Sequence, residues 1–200
     1  MYNQAMARPS MRATRRAELT GAFARVLSRQ GYAGATIAAV AAEAGVAPGL
    51  VHHHFADKAD LLASLVGELI DRFRERTRAL EAGTDPLEAY VTAAVGLGDT
   101  ADGVAARCWV GVFAEAVRDP GLFALIRRLL DTEIEAIRRR GGAEFSAHDG
   151  GAVLAFIVGA LVFGAFAPRK TAGFAAPALR RFVAAVRSER ATARGRPRPG

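Results

Sequence analysis

Three consecutive histidines, His52-His53-His54, are the most conspicuous reactive groups in the chain, and they raise a metal site first. Imidazole is the commonest protein ligand for transition metals, but zinc takes three or four converging donors. Neighbouring residues of a helix point about 100° apart, so three in a row diverge, and no metal site is expected. His148 stands alone and reads as a cap or a surface group. Catalysis has equally little to work with. Ser28, Ser64 and Ser146 have no evident base beside them, and Cys108, next to Trp109, reads as a small buried hydrophobe. The chain has no Gly-x-Ser-x-Gly elbow, no glycine-rich phosphate loop and no His-Glu-x-x-His pair. Neither an enzymatic activity nor a cofactor is expected.

The charges point elsewhere. The formal total is +7, but it is unevenly spread. Arg8, Arg12, Arg15, Arg16, Arg25 and Arg29 oppose only Glu18 in the first thirty residues, and residues 169–200 are again strongly basic. The middle of the chain is net acidic. Two basic ends around an acidic middle favour contact with a polyanion, nucleic acid ahead of a membrane surface. A single cysteine excludes an intramolecular disulfide and a cysteine-built zinc module. Residues 1–11 carry no apolar run of signal-peptide length, so a cytoplasmic location is expected.

The elements that must position these groups read as helices throughout. Leu19, Phe23, Val26 and Leu27 form one apolar stripe on a helix of about 11–30, with Ser10 as N-cap and Gly31 as stop. Thr36 caps a short second helix that ends at Gly45, and Pro48 opens a third over about 48–54. A fourth runs over about 57–80. Further helices are expected at about 86–98, 103–118, 120–140, 148–167 and 174–190. No alternating β-branched run and no fixed repeat is present, so the fold class is all-α.

Residues 36–55, TIAAVAAEAGVAPGLVHHHF, are the most informative in the chain. Two short helices across a glycine-containing turn make a helix-turn-helix, whose second helix can enter the major groove of a duplex. Ile37, Val40 and Ala41 supply the inner face of one helix, Val51 and Phe55 that of the other. The outer face is left to Pro48, Gly49, His52 and His53. A hairpin that packs on protein shares this spacing, and that interaction module is the first rival reading. A small-molecule enzyme using the C-terminal half is the second.

The run from Arg15-Arg16 through Gly31, Thr36-Ile37, Ala44-Gly45-Val46, Gly49-Leu50, His54-Phe55 and Lys58 to Leu61-Leu62 closely resembles the N-terminal domain of tetracycline-repressor (TetR) family regulators. Trp109, Asp119-Pro120, Leu129, the glycine-bearing helix 148–167 and Pro168 resemble the sensing domain of the family's BetI-like subgroup. The resemblance implies a homodimer that binds a near-palindromic operator in double-stranded DNA and releases it when a small-molecule effector enters the C-terminal domain. It assigns Thr36 to a phosphate contact, Ala47, Pro48, Gly49, Leu50, His52 and His53 to the groove, and Lys58 to a second phosphate. His54 is counted with the DNA-binding residues. A hydroxyl and an ammonium beside helix N-termini suit an anion on physical grounds. Three positions depart from the family pattern. Ala47 stands where Ser or Thr is usual, His52 where Tyr is usual, and Leu50 where Thr is usual.

In the C-terminal half, Trp109, Phe113, Phe123, Phe156 and Phe163 are expected to line a sensing cavity for a largely apolar effector. One Trp with Tyr2, Tyr32 and Tyr90 is a thin supply for an aromatic cage, so a choline-type ligand is not expected. Leu154, Val158, Leu161 and Ala165 form one stripe, and Leu179, Phe182, Val183 and Val186 another. These two helices are expected to make the two-fold interface of the homodimer. Residues 150–168 carry no charge and approach the length of a membrane span, but they are rich in Gly and Ala. A helix buried against its own domain and against a partner subunit explains them without a membrane. The expected division is a disordered arm at 1–10, a helix-turn-helix domain at 11–57, a sensing and dimerisation domain at 58–187, and a disordered basic tail at 188–200. Helix 57–80 connects the two domains.

Overall fold

The computed structural model describes residues 10–95 and 100–194, which contain helices, turns and one short 3-10 segment, and no strand among the described residues. The chain divides into two compact units, Met1–Glu68 and Leu69–Gly200. The division falls inside the fourth helix rather than at 57/58, the boundary expected from sequence. Residues 1–9 of the arm expected at 1–10, and the end of the tail at 195–200, lie outside the described residues.

The first unit is built from α1 (Met11–Gly34), α2 (Ile37–Ala44), α3 (Pro48–His54) and the opening turns of α4 (Lys58–Glu81). Each start is set locally. Ser10 caps α1, its hydroxyl accepting the Ala13 N–H at 3.1 Å, and Thr36 does the same for α2 with Ala39 at 3.1 Å. The helical geometry of α1 breaks at Gly31, where φ is 69°. Gly45 ends α2 with φ 66°, a left-handed conformation that a side chain would strain. Pro48 opens α3, where its missing N–H costs nothing. The apolar stripe Leu19, Phe23, Val26 and Leu27 is buried where α1 packs on α2 and α3. Each such side chain contributes about 1.5–3 kcal/mol of transfer free energy.

The second unit holds the rest of α4 with α5 (Pro86–Val95), α6 (Thr100–Ala116), α7 (Pro120–Gly141), α8 (Ala147–Phe166) and α9 (Pro168–Arg194). Helix α8 is its centre and packs on α6, α7 and α9. Among the described residues it alone is long and apolar enough to cross a membrane, and its Gly150, Val153, Leu154, Ile157 and Ala160 are buried in the protein. Ser146 and Asp149 form a reciprocal capping box at its start. Gly150 permits close approach to α7: a Cβ there would sit 2.8 Å from the Ile134 carbonyl oxygen.

The last helix departs from expectation at both ends. It begins at Pro168 rather than near 174, because proline suits the first helical position as well as it ends the previous helix. It continues to Arg194, so residues 188–194 are helical and not a disordered tail. That stretch, SERATAR, contains neither Gly nor Pro, and the first of these is Gly195.

Candidate nucleic-acid interface and helical-domain cavity

The α2–α3 hairpin presents a polar and backbone-rich face to solvent because most of its large apolar groups pack on the other side. Val40, Ala41, Val51 and Phe55 are buried. Thr36, Ala47, Pro48, Gly49, His52 and His53 are exposed, and Leu50 is half-buried beside them. Ala47 makes no side-chain cap, so the first turn of α3 carries backbone N–H groups with no protein oxygen supplied from the N-cap side chain. Such a terminus accepts an anion.

His54 is a correction. Expected among the DNA-binding residues, it is buried, and its carbonyl is taken by the Arg16 guanidinium. Position 54 lies on the inner side of α3, about 200° round from position 52 and thus nearer Val51. Its Nδ1 is buried with no hydrogen-bond partner among the described residues. Burial first, then the charges of His53, Arg12, Arg16 and Arg15, hold its pKa below the ordinary histidine value. The unfolded chain takes up a proton here near pH ~6.5 while the folded one resists. Stability from the neutral form is therefore present above that pH and is lost as pH falls towards the depressed folded pKa. Urea midpoints of the protein at pH 7.5 and 5.5 are expected to differ more for the wild type than for His54→Gln. Equal pH dependence in the two proteins would show that His54 is not the group responsible.

The basic cluster of α1 is partly spent inside the fold, which residue counting did not reveal. Arg16 lies 4.0 Å over the Phe55 ring, donates to His54 O and pairs with Asp60 at 3.5 Å. Asp60 in turn accepts the Ala56 N–H at 3.1 Å, closing the corner between α3 and α4. Arg25 and Arg29 both bind Glu43 of α2, and their hydrogen bonds hold its carboxyl below the usual carboxylate range. Lys58, expected at a phosphate, donates to the Tyr32 carbonyl at 2.9 Å and sits 4.0 Å over the Tyr32 ring. An ammonium has three donors, and this contact uses one. Among the described residues no cluster of three His, Cys, Asp or Glu could hold a metal ion; the His53 and His54 rings meet edge to face at 5.1 Å.

The second unit encloses a cavity of about 190 Å³ between α4, α5, α6, α7 and α8. Of the five residues expected to line it, Trp109 and Phe113 do so, stacked at 5.6 Å with their planes 28° apart. Phe123 and Phe163 do not: they are 54% and 63% exposed. Phe156 packs against the core without lining the cavity. Leu154, Val158 and Leu161, expected on a dimer face, also line the cavity. Leu179 and Val183 are likewise buried in the unit's own core, with Val186 packed against it. Ala165 is half-buried, and Phe182 is exposed. The apolar groups left uncovered on α8 and α9 are Val162, Phe163, Phe166, Phe174 and Phe182.

The cavity's polar groups were missed by the sequence reading. Tyr90 donates to Glu133 Oε2 at 2.7 Å, and Phe73 meets the Tyr90 ring edge to face at 5.0 Å. Burial, then the Glu133 charge, push the Tyr90 phenol well above its usual pKa, so it remains a donor at any physiological pH. Arg72 and Arg76 of α4 line the same space. Cys108 is buried, which pushes its thiol up to about 11 and leaves it neutral and unreactive.

Comparison with known proteins agrees with this geometry. The signature of bacterial regulatory proteins of the tetR family matches residues 19–65, the span from the buried half of α1 into α4. The HTH-type transcriptional regulator BetI of Paraburkholderia phytofirmans is 32% identical over 146 residues, covering 70% of this chain and 72% of that protein. BetI of Escherichia coli K12 is 28% identical over 163 residues, covering 77% and 84%. Among solved structures, a transcriptional regulator from Rhodococcus sp. Rha1 superposes with a TM-score of 0.77 at 24% identity, covering 87% of this chain and 96% of that one. A regulator from Saccharomonospora viridis, solved in complex with choline, superposes with a TM-score of 0.69 at 20% identity over 86% of this chain and 96% of its own. The chain belongs to the tetR family of bacterial regulatory proteins, as a helix-turn-helix, DNA-binding regulator of transcription and not an enzyme.

Proposed function

We propose that the protein is a cytoplasmic repressor that holds a near-palindromic operator as a homodimer and leaves it when a small, largely apolar effector occupies the cavity of the second unit. The observation that supports the DNA-reading part best is the sidedness of α3. Val51, His54 and Phe55 are buried, while Pro48, Gly49, His52 and His53 are exposed at a helix whose N-terminus lacks a side-chain cap. A phosphate contact at Thr36 is supported by its exposed hydroxyl, whose O–H remains to donate while the oxygen caps α2, and Lys58 would reach a phosphate only while keeping or exchanging its bond to Tyr32. The dimer reading is supported by the uncovered phenylalanines of α8 and α9. The effector reading is supported by a cavity walled by Trp109, Phe113 and aliphatic groups. Effector and operator are then linked reciprocally: a ligand that lowers DNA affinity must itself bind less well to the DNA complex, by the same factor.

Footprinting the purified protein on DNA flanking its own gene tests the proposal. A protected near-palindrome with affinity falling steeply with salt is expected. The double variant His52→Ala/His53→Ala should fold normally and lose about 1–3 kcal/mol of operator binding for each contact removed. Full operator affinity in that variant would remove α3 from the interface.

A further inference from the structure

We infer that the cavity of the second unit is selective for a small carboxylate with an apolar body, held acid-outward at Arg72 and Arg76. This rests on the reading of that cavity as the effector site. Its volume is about 190 Å³, which limits the ligand to a small molecule. The walls that would take its body are Trp109, Phe113, Leu130, Ile157 and Val158. Three lining residues carry charge, two of one sign and one of the other: Arg72, Arg76 and Glu133. Their positions differ. Glu133 is half-buried and its Oε2 accepts the Tyr90 hydroxyl, whereas Arg72 and Arg76 are exposed at the edge of the cavity.

The two arginines stand four residues apart on α4, so both guanidinium groups reach the same face one helical turn apart. A carboxylate between them gains charge-assisted hydrogen bonds from both. Each guanidinium offers five N–H donors, so bonds to neighbouring side chains do not exhaust it. An alcohol of the same length would bury the same body without that gain. An organic cation would pass two guanidinium groups to reach the one carboxylate that lines the cavity, Glu133. The adjoining cleft, which shares Phe73, Tyr90 and Glu133 with the cavity, adds Arg74 and Arg78, with Arg139 and Arg140 paired to Glu135 and Glu81.

Trp109 is the chain's one tryptophan and lies in the cavity wall, so its fluorescence reports occupancy directly. The full-length protein should be titrated with octanoate, octan-1-ol and octylammonium, which differ only in head group. Octanoate is expected to bind at least about tenfold tighter than octan-1-ol, the scale of a single charge-assisted hydrogen bond. Arg72→Gln/Arg76→Gln, which changes only exposed side chains, should bring octanoate down to the octan-1-ol level and leave octan-1-ol unchanged. Equal affinity for octanoate and octan-1-ol, tightest binding of octylammonium, or octanoate binding untouched by the double variant would each overturn the carboxylate assignment while leaving the effector cavity standing. No fluorescence response to any of the three would overturn both.

Discussion

Phe163→Glu/Phe166→Glu is expected to convert the protein to a monomer and to lower operator affinity by about 10³-fold or more, as specific binding falls towards the non-specific level. The two rings lie on neighbouring turns of α8, 63% and 80% exposed, in a helix that otherwise offers solvent almost no polar group. Phe174 and Phe182 of α9 add to the uncovered apolar surface. A soluble monomer seldom leaves such a surface open, and a two-fold dimer covers it with a second copy of itself. Carboxylates placed at its centre would be buried without partners, a cost of several kcal/mol for each ion. Each freed monomer then holds one half-site and loses the other. Because both side chains are exposed within the subunit, its helix content and melting should change little, which separates loss of assembly from loss of fold. Sedimentation equilibrium and a gel-shift titration read the two effects. A variant that remains dimeric with full affinity would place the interface on another surface.

Phe55→Ala is expected to unfold the first unit selectively and to abolish operator binding at 37 °C. The ring is buried at the C-terminus of α3, beneath the guanidinium of Arg16. Removing it leaves a cavity and costs about 3–5 kcal/mol, with a further ~0.5–2 kcal/mol from the lost cation–π contact. Domains of this kind have only about 5–15 kcal/mol in total. Arg16 would also lose the platform that aims it at His54 O and Asp60, so the α3–α4 corner opens. The second unit has its own core and should melt as before, with Trp109 fluorescence as its reporter. Thermal unfolding followed by far-UV circular dichroism should therefore split into two steps. A single transition at the wild-type temperature, with intact operator binding, would mean that Phe55 does not seat α3.

The helix-turn-helix was legible because its determinants are local. The Thr36 cap, the left-handed Gly45 and Pro48 at the first helical position act within four residues of the features they set. The buried and exposed sides of α3 follow from helical period, His54 included, but the Arg16 guanidinium on the His54 carbonyl comes from 38 residues away in sequence. The sensing half was legible as a set of helices but not as a site. Helix α8 is apolar on every side, so its period cannot say which stripe meets the cavity and which meets solvent. Leu154, Val158 and Leu161, expected on a dimer face, line the cavity, and Phe163, expected in the cavity, faces solvent, because α6, α7 and α9 pack around α8. Tyr90 and Glu133 are separated by 43 residues and Arg140 and Glu81 by 59, and no spacing rule joins residues that far apart. Secondary structure follows from interactions within a turn or two of chain, which sequence displays directly. A cavity and an uncovered face exist only where non-neighbouring helices meet or fail to meet, and that is decided by packing.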